Sequence, residues 1–364
     1  MSKQQHFDRL SAYLLTAHTL LKNRVFTMNY IGSKQKLSDF IKTTIYSVVG
    51  YDLSDKIFCD LFAGTGAISR AFKHEVKKII ANDFEYYSYV LIRNYIENHR
   101  EIPHILTYID ELNRLPLIDT GFIFKQYSVN GGCGRLYFSE QNGKKIDTMR
   151  QKIEDWYIRQ AISEDLYFFL LASLLESADK IANTASVYGA FLKKLKKTAQ
   201  KALVLEPALF SINSNTHRAF NVDSNQLIKQ NDIFGDILYV DPPYNTRQYG
   251  ANYHVLNTIA QYHSFEPHGK TGLPVYKKSR YCSYTTVLHA FEDLLKHAHF
   301  KYIFVSYNNE GLMQAATVKK IMKKYGKYGC ASKIYQRFKA DKDENRFFES
   351  ETTQEYVHIL EKYG

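Results

Sequence analysis

Cysteine is scarce in this chain of 364 residues: there are four, Cys59, Cys133, Cys282 and Cys330, far apart and with no Cys-x-x-Cys pair among them. That spacing suggests neither a disulfide framework nor a zinc site, so no metal is expected, and it suits a reducing cytoplasm. Long apolar runs are missing as well. The longest, Leu166 to Leu175, falls far short of the roughly 20 residues a membrane span requires and has Glu164, Asp165 and Glu176 at its ends, so it reads as a buried helix. The stretch Leu10 to Leu21 is preceded by Asp8, interrupted by His18 and followed by no small-residue cleavage site, which predicts an amphipathic helix rather than a signal peptide. Internal repeats and low-complexity tracts are absent too.

What the chain does have is positive charge and aromatic rings. Lysine and arginine number 48 against 37 aspartates and glutamates, a formal net charge of +11. An excess of that size suits a partner with a polyanionic backbone. Aromatic residues make up 15% of the chain, with 29 Tyr and 23 Phe, enough to serve both a core and stacking on unpaired bases.

The length suits a core domain plus a smaller unit. From Lys56 short apolar strands alternate with helical stretches: Ile57 to Phe62, a glycine turn, a helix from Ala67, a strand Lys78 to Asn82 and a helix through Asn98. That is the pattern of a parallel sheet with crossover helices. It breaks after Pro103. Between there and about Asn215 come a glycine cluster (Gly131, Gly132, Gly134), two alternating segments about Asn142-Gly143 that predict a β-hairpin, and helical patterns through Trp156 and from Leu166 to Leu205. The alternation resumes with Ala219 to Val222, Asp236 to Val240 and Tyr302 to Ser306, and late strands follow near Lys333 to Phe338 and Glu355 to Leu360. Ser264 to Tyr281 holds Gly269, Gly272, Pro267 and Pro274 and predicts a long loop. The expected fold class is α/β and Rossmann-like, with residues 1–100 and 216–364 forming the core domain and 101–215 inserted as a second, mainly helical domain.

Two motifs carry chemistry. Asp60-Leu61-Phe62-Ala63-Gly64-Thr65-Gly66 follows a strand and opens a helix, where glycines let the backbone approach a ligand. Asp83 ends the next strand, about 20 residues on, the interval at which an acidic side chain meets ribose hydroxyls in doubly wound folds. A nucleoside site is implied, although Ser69 stands where a dinucleotide fingerprint has its third glycine. Asp241-Pro242-Pro243-Tyr244 follows the strand ending at Val240, and ligands of open α/β sheets bind beyond the carboxyl ends of strands. Its two prolines hold an extended turn and leave carbonyls free to accept. An amino group on an aromatic ring is a poor nucleophile because its lone pair is delocalised. A carboxylate, Asp241, and the Pro242 carbonyl accepting its two hydrogens would free that lone pair, and Tyr244 offers a face for stacking.

These motifs, in the order Asn29-Tyr30-Ile31-Gly32-Ser33-Lys34, glycine turn, Asn82-Asp83, insertion, Asp-Pro-Pro-Tyr, resemble the Dam-like α group of adenine-specific (N6) DNA methyltransferases. The continuation Asn245-Thr246-Arg247-Gln248-Tyr249-Gly250-Ala251-Asn252-Tyr253-His254, and Ser306-Tyr307-Asn308-Asn309-Glu310-Gly311, resemble the branch that holds modification enzymes of CATG-type and FokI-type restriction systems. The resemblance implies a Rossmann-like methyltransferase fold, S-adenosyl-L-methionine as cofactor and double-stranded DNA as partner, with a restriction endonuclease acting alongside. It carries over roles by position. Tyr30 and Lys34 would meet the cofactor, Lys34 near its carboxylate; Phe62, Ala63, Gly64 and Gly66 would line the methionine part; Asp83 would hold the ribose, and Asp60 is a further cofactor-binding candidate. Asp223 would approach the cofactor adenine, with Asp232 as rival. The insertion stands where that group has its target-recognition domain. Lys193, Lys194, Lys196, Lys197 and Lys201 crowd a segment there that is expected to be helical and also contains Tyr188 and Phe191, a phosphate-binding face. Arg247, and Arg280 with Lys270, Lys277 and Lys278 on the long loop, are further DNA-contact candidates.

Other readings stay open on the residues alone. A carboxylate-Pro-Pro-aromatic turn also serves methylation of RNA bases and of cytosine N4, and a DNA-binding protein on a catalytically silent methyltransferase fold would explain the charge. A nicotinamide oxidoreductase would explain the glycine turn and Asp83 but not Asp241 to Tyr244. Cytosine C5 chemistry needs a thiolate, and no cysteine here follows a proline or sits beside the glycine turn.

Overall fold

Strands buried on both faces read as near-continuous apolar runs, and this chain has several. The structure is a computed structural model that describes residues 34–336 and 352–363; the helix expected over Leu10 to Leu21 lies outside them. A short 3-10 turn (Lys34–Leu37) leads into α1 (Ser38–Val49), then β1 (Ile57–Asp60), α2 (Ala67–Phe72), β2 (Lys78–Asn82) and α3 (Tyr86–Ile92), which continues as a π turn over Arg93–Glu97. Four helices follow, α4 (Ile105–Arg114), α5 (Phe122–Tyr127), α6 (Glu140–Ile158) and α7 (Glu164–Lys180). The rest of the α/β pattern is β3 (Arg218–Phe220), α8 (Ser224–Leu227), β4 (Phe234–Val240), α9 (Tyr249–Asn252), α10 (His254–Gln261), α11 (Val287–His297), β5 (His299–Asn308), α12 (Ala315–Met322), β6 (Gly326–Gln336) and β7 (Thr352–Lys362). No helix among the described residues is long and apolar enough to cross a membrane.

One seven-stranded sheet results, in the order β3-β2-β1-β4-β5-β7-β6. β1 to β5 pair in parallel, and β7 runs antiparallel to both β5 and β6. Alternate residues serve two layers. Phe58, Ile79, Ile237 and Phe304 pack with α1, α2, α3, α7 and α10. Their neighbours Cys59, Ile80, Leu238 and Ile303 pack with α8, α11 and α12. The architecture is the Rossmann-like α/β one expected, and its strand order reverses at β1, where the chain first builds outward through β2 and β3 and then returns to add β4 on the other side. Crevices at such switch points, beyond the carboxyl ends of the strands, are where ligands of open α/β sheets bind.

The segment between β2 and β3 departs from expectation in three places. Asn142-Gly143 is no hairpin: both lie in the first turn of α6, capped by Ser139, whose side chain accepts from Asn142 N. Tertiary bonds outweigh the local turn preference. The Asn142 amide is buried, donates to Ala199 O and Lys201 O and accepts from Leu203 N, so it clamps a distant stretch of chain. Second, the helical pattern from Leu166 ends at Lys180, and 181–217 has no regular helix or strand. Asn183 competes for the backbone there, donating to Leu136 O and Leu192 O and accepting from Lys196 N. Third, the lysine-rich segment is therefore an irregular strand of loop rather than a helix, with Tyr188 buried against Asp179 and not available for stacking. The buried residues of α4 to α7 belong to the same apolar cluster as one face of the sheet, so this block is welded to the core.

Gly143 tests the packing inside this block. In an isolated helix alanine is favoured over glycine by about 1 kcal/mol, but a Cβ at Gly143 would lie 1.9 Å from Ser128 Oγ and 3.2 Å from Phe124 Cα. Gly143→Ala is expected to lower the stability by about 1–3 kcal/mol through overpacking, measured by urea unfolding; a gain in stability would show that α6 does not pack this closely.

Candidate active site

The two motifs meet because β1 and β4 are neighbours. Asp60 is in register with Tyr239, and Leu61 N continues the ladder onto Tyr239 O, so both loops leave the sheet side by side. In the first loop Gly64 and Gly66 have φ of 54° and 77°, a left-handed backbone open to glycine at no steric cost. Asp83 secures it: one carboxylate oxygen accepts from Gly64 N at 2.8 Å, the other from Glu85 N at 2.9 Å. Asn82 ties the loops after β1 and β3 together, donating to Leu61 O and Val222 O.

A solvent-open cleft lies between the loops. Of the residues singled out by sequence, Lys34, Asp60, Phe62, Ala63, Gly64, Asp83, Asp223, Asp241, Pro242, Pro243 and Tyr244 line it. Gly66 is not among them; a Cβ there would meet Ile92 at 3.3 Å, so this glycine serves the turn and the packing of α2. Tyr30 lies outside the described residues. Asp223 caps α8 by accepting from Asn225 N and Gln226 N, whereas Asp232 is paired with exposed Arg218 at 2.9 Å and does not line the cleft. Arg280 pairs with Asp223 at 3.1 Å, joining the long loop to the cleft rim. Arg247 is exposed just beyond Tyr244, and Lys193, Lys194 and Lys197 are exposed on the irregular segment.

The cleft is anionic. Among the described residues that line it, Asp60, Asp83, Glu85, Asp223 and Asp241 face a single cation, Lys34. Burial pushes the Asp60 carboxyl up to about 7 although Ser69 donates to it through both N and Oγ, and Asp60 Oδ1 has no hydrogen-bond partner among the described residues. Burial likewise raises Asp83 to about 6, against the two backbone donors, and Glu85 to about 7. Asp241 is raised to about 6 by burial, with Lys34 and the Tyr244 hydroxyl opposing. Tyr244 donates to Asp241 Oδ1 at 2.5 Å, and its ring packs edge-on against Tyr307 at 5.0 Å. Lys34, 5% exposed, stands 3.3 Å from the same Asp241 oxygen, contacts the Tyr244 hydroxyl and lies 3.6 Å from Glu355 on β7.

Glu85, Glu355 and Tyr281, which packs edge-on against Phe62 at 5.0 Å, escaped the sequence reading. Glu85 follows Asp83 by two positions, a signal that was available. Nothing local marks Glu355, which reaches the site through antiparallel pairing of β7 with β5. Among the described residues no group of three or more His, Cys, Asp or Glu is placed to hold a metal ion.

A profile of the D12 class N6 adenine-specific DNA methyltransferases matches residues 30–323, from the Tyr30 motif past the Asp-Pro-Pro-Tyr turn. The chain belongs to that family. Type II methyltransferase M.NlaIII of Neisseria lactamica is 58% identical over 335 residues, which cover 92% of this chain and 99% of that protein. Type II methyltransferase M.CviAII of Paramecium bursaria Chlorella virus 1 is 39% identical, with 86% of this chain and 93% of the relative aligned. Type II methyltransferase M.FokI of Planomicrobium okeanokoites, at 36% identity, aligns with 92% of this chain over 53% of its own length. This methyltransferase is thus an enzyme that acts on adenine N6 in DNA, as the order of its motifs implied.

The charge balance of the methyltransferase cleft has a measurable consequence. Asp60 binds its proton more tightly in the folded state, near 7, than at its ordinary value of 3.8; its contribution to stability is complete below the ordinary value and is lost as pH rises through the folded one. Asp60→Asn stays neutral throughout. The ligand-free variant is expected to melt above wild type at pH 8, with the margin shrinking as pH falls and closing only toward the ordinary value of 3.8; equal melting temperatures at pH 8 would show that Asp60 is not held in a costly charged state.

Proposed function

We propose that the cleft binds S-adenosyl-L-methionine and that a flipped adenine is held beside it by Asp241, the Pro242 carbonyl and Tyr244, so that this chain methylates a specific short site in double-stranded DNA. The observation that carries the reading is the convergence of the glycine turn after β1 and the Asp-Pro-Pro-Tyr turn after β4 on one cleft. The donor set fits that cofactor. Its sulfonium and ammonium charges suit a pocket with five carboxylates and one lysine, and the Oδ1 of Asp60, which has no partner among the described residues, is an acceptor for a donor. When bound, the cofactor supplies an activated methyl group. Phe62, Ala63 and Gly64 would then line its methionine end with Lys34 nearby, Asp83 its ribose hydroxyls and Asp223 the adenine end.

The protein's own part is to prepare the nucleophile. Inside a stacked pair N6 cannot reach both acceptors and the methyl donor, so the base is extruded. Asp241 and the Pro242 carbonyl accept the two amino hydrogens, which localises the lone pair and stabilises positive charge growing on N6, and Tyr244 supports the base by stacking. Sequence choice falls to the block 101–215, with Lys193, Lys194 and Lys197, and Arg247 and Arg280 near the cleft mouth, meeting phosphates. The relatives named as type II methyltransferases support a place beside a restriction endonuclease that reads the same site without stable association, in the cytoplasm of a bacterial or virus-infected cell.

Asp241→Ala is expected to reduce single-turnover methylation of the cognate duplex by at least about a hundredfold while cofactor affinity stays within about threefold; a folded variant with wild-type rates would remove the role given to Asp241. Replacing Lys193, Lys194 and Lys197 together with Ala is expected to weaken DNA binding and flatten its slope against log salt by roughly 2 to 3, because fewer counterions are released. An unchanged slope would make these lysines a solvated surface.

A further inference from the structure

Glu355 is a carboxylate in an expensive position. It sits on β7, paired with Asn308 of β5 on one side and Lys333 of β6 on the other, and is 7% exposed. Its Oε2 is buried and has no hydrogen-bond partner among the described residues. The charge it meets is the Lys34 ammonium, 3.6 Å away, and that ammonium is 3.3 Å from Asp241 Oδ1 on its other side. A buried carboxylate is tolerated only when paired, and here one lysine is divided between two.

We propose that Glu355 is a positioning residue for the methylation reaction: by sharing Lys34 with Asp241, it holds the ammonium in place without letting it neutralise the carboxylate that faces the target amino group. This rests on the role given to Asp241 above and deepens it. If Lys34 served Asp241 alone, the pair would be neutral, and its oxygen would be a weaker acceptor for the N6 hydrogens. With Glu355 present the three groups carry a net charge of −1, directed at the point where positive charge grows on N6, and charge fixed in advance at that point is what lowers the barrier. The edge-on Tyr307 ring against Tyr244 and the Tyr244 hydroxyl on Asp241 keep the triad aligned. The charged and titratable groups that face Asp241 are Lys34 from the N-terminal 3-10 turn, Asp60 from β1, Tyr239 from β4, Tyr244 and Tyr249 after it, and Glu355. Within this set Glu355 acts to raise the Asp241 carboxyl and Lys34 to lower it.

The two opposed effects give a test that a merely structural residue would not pass. The single-turnover rate constant is measured from pH 5 to 8 with saturating S-adenosylmethionine and cognate duplex for wild type, Glu355→Gln, Glu355→Asp, Lys34→Met and Asp241→Ala, with melting temperatures alongside. In Glu355→Gln the rate on the upper plateau is expected to fall about tenfold and the acid limb to move by about one pH unit to lower pH, because Asp241 loses a like-charged neighbour. Glu355→Asp, which keeps the charge, is expected to leave the limb where it was. Lys34→Met is expected to move the limb the other way, to higher pH. A limb that stays in place in folded Glu355→Gln, or that moves equally in Glu355→Asp, overturns the proposal, as does Lys34→Met moving it to lower pH. Asp241→Ala separates the two levels: if it is inactive while Glu355→Gln behaves as wild type, only the role of Glu355 falls, whereas wild-type rates in Asp241→Ala remove the reading on which it rests.

Discussion

The pairing of β1 with β4 is the contact on which the site depends. These strands are far apart in sequence, and their parallel register, with Asp60 opposite Tyr239, sets the glycine turn and the Asp-Pro-Pro-Tyr turn at the same height on the sheet. A shift of one residue would reverse the faces of β4, turning Leu238 and Val240 out of the layer they share with α11 and removing Ile237 and Tyr239 from the other. The core therefore fixes the register, and the register fixes the distance between the two halves of the cleft.

Around that cleft the protein accepts an electrostatic burden. Buried carboxylates cluster with one lysine, and burial holds several of them well above the ordinary carboxylate range. In an empty pocket such a set opposes folding; beside a cationic ligand it becomes an attraction. A site of this kind trades stability of the free protein for affinity and for charge placed ahead of the reaction, which is why strongly perturbed groups gather at functional sites. Lys34 is the pivot, since it reaches carboxylates on β7 and after β4 at once.

The block between β2 and β3 is held by a different device. Its helices share an apolar cluster with the sheet, and its long irregular stretch is tied down by the buried amides of Asn142 and Asn183. Backbone that leaves regular structure needs partners for its polar groups, and these side chains supply them. Exposed lysines can then project from an irregular segment that is nevertheless anchored to the core. The loop over 264–279 is anchored likewise, by the Tyr127 hydroxyl on Gly272 O at 2.5 Å and by His254 on Thr271 O at 2.9 Å.

What the chain determined by itself was whatever depends on short stretches of sequence. Apolar runs near 57, 78, 236 and 302 marked strands because both their faces are buried, and the glycine turn and the Asp-Pro-Pro-Tyr turn could be read because few residue types tolerate such backbone. Together with the order of the motifs, these were enough for the fold class, the family and most of the cleft lining. Tertiary structure decided the rest. Asn142-Gly143 carries a strong hairpin signal, yet it became helix because a buried clamp and a close approach to Ser128 outweigh a local preference worth about a kcal/mol. The lysine segment lost its helix to Asn183, Asp223 rather than Asp232 reached the cleft, and Gly66 turned inward to Ile92. Glu355 had no local signature at all: its neighbourhood with Lys34 and Asp241 exists only because β7 inserts antiparallel between β5 and β6, a pairing of distant segments that no window of sequence contains.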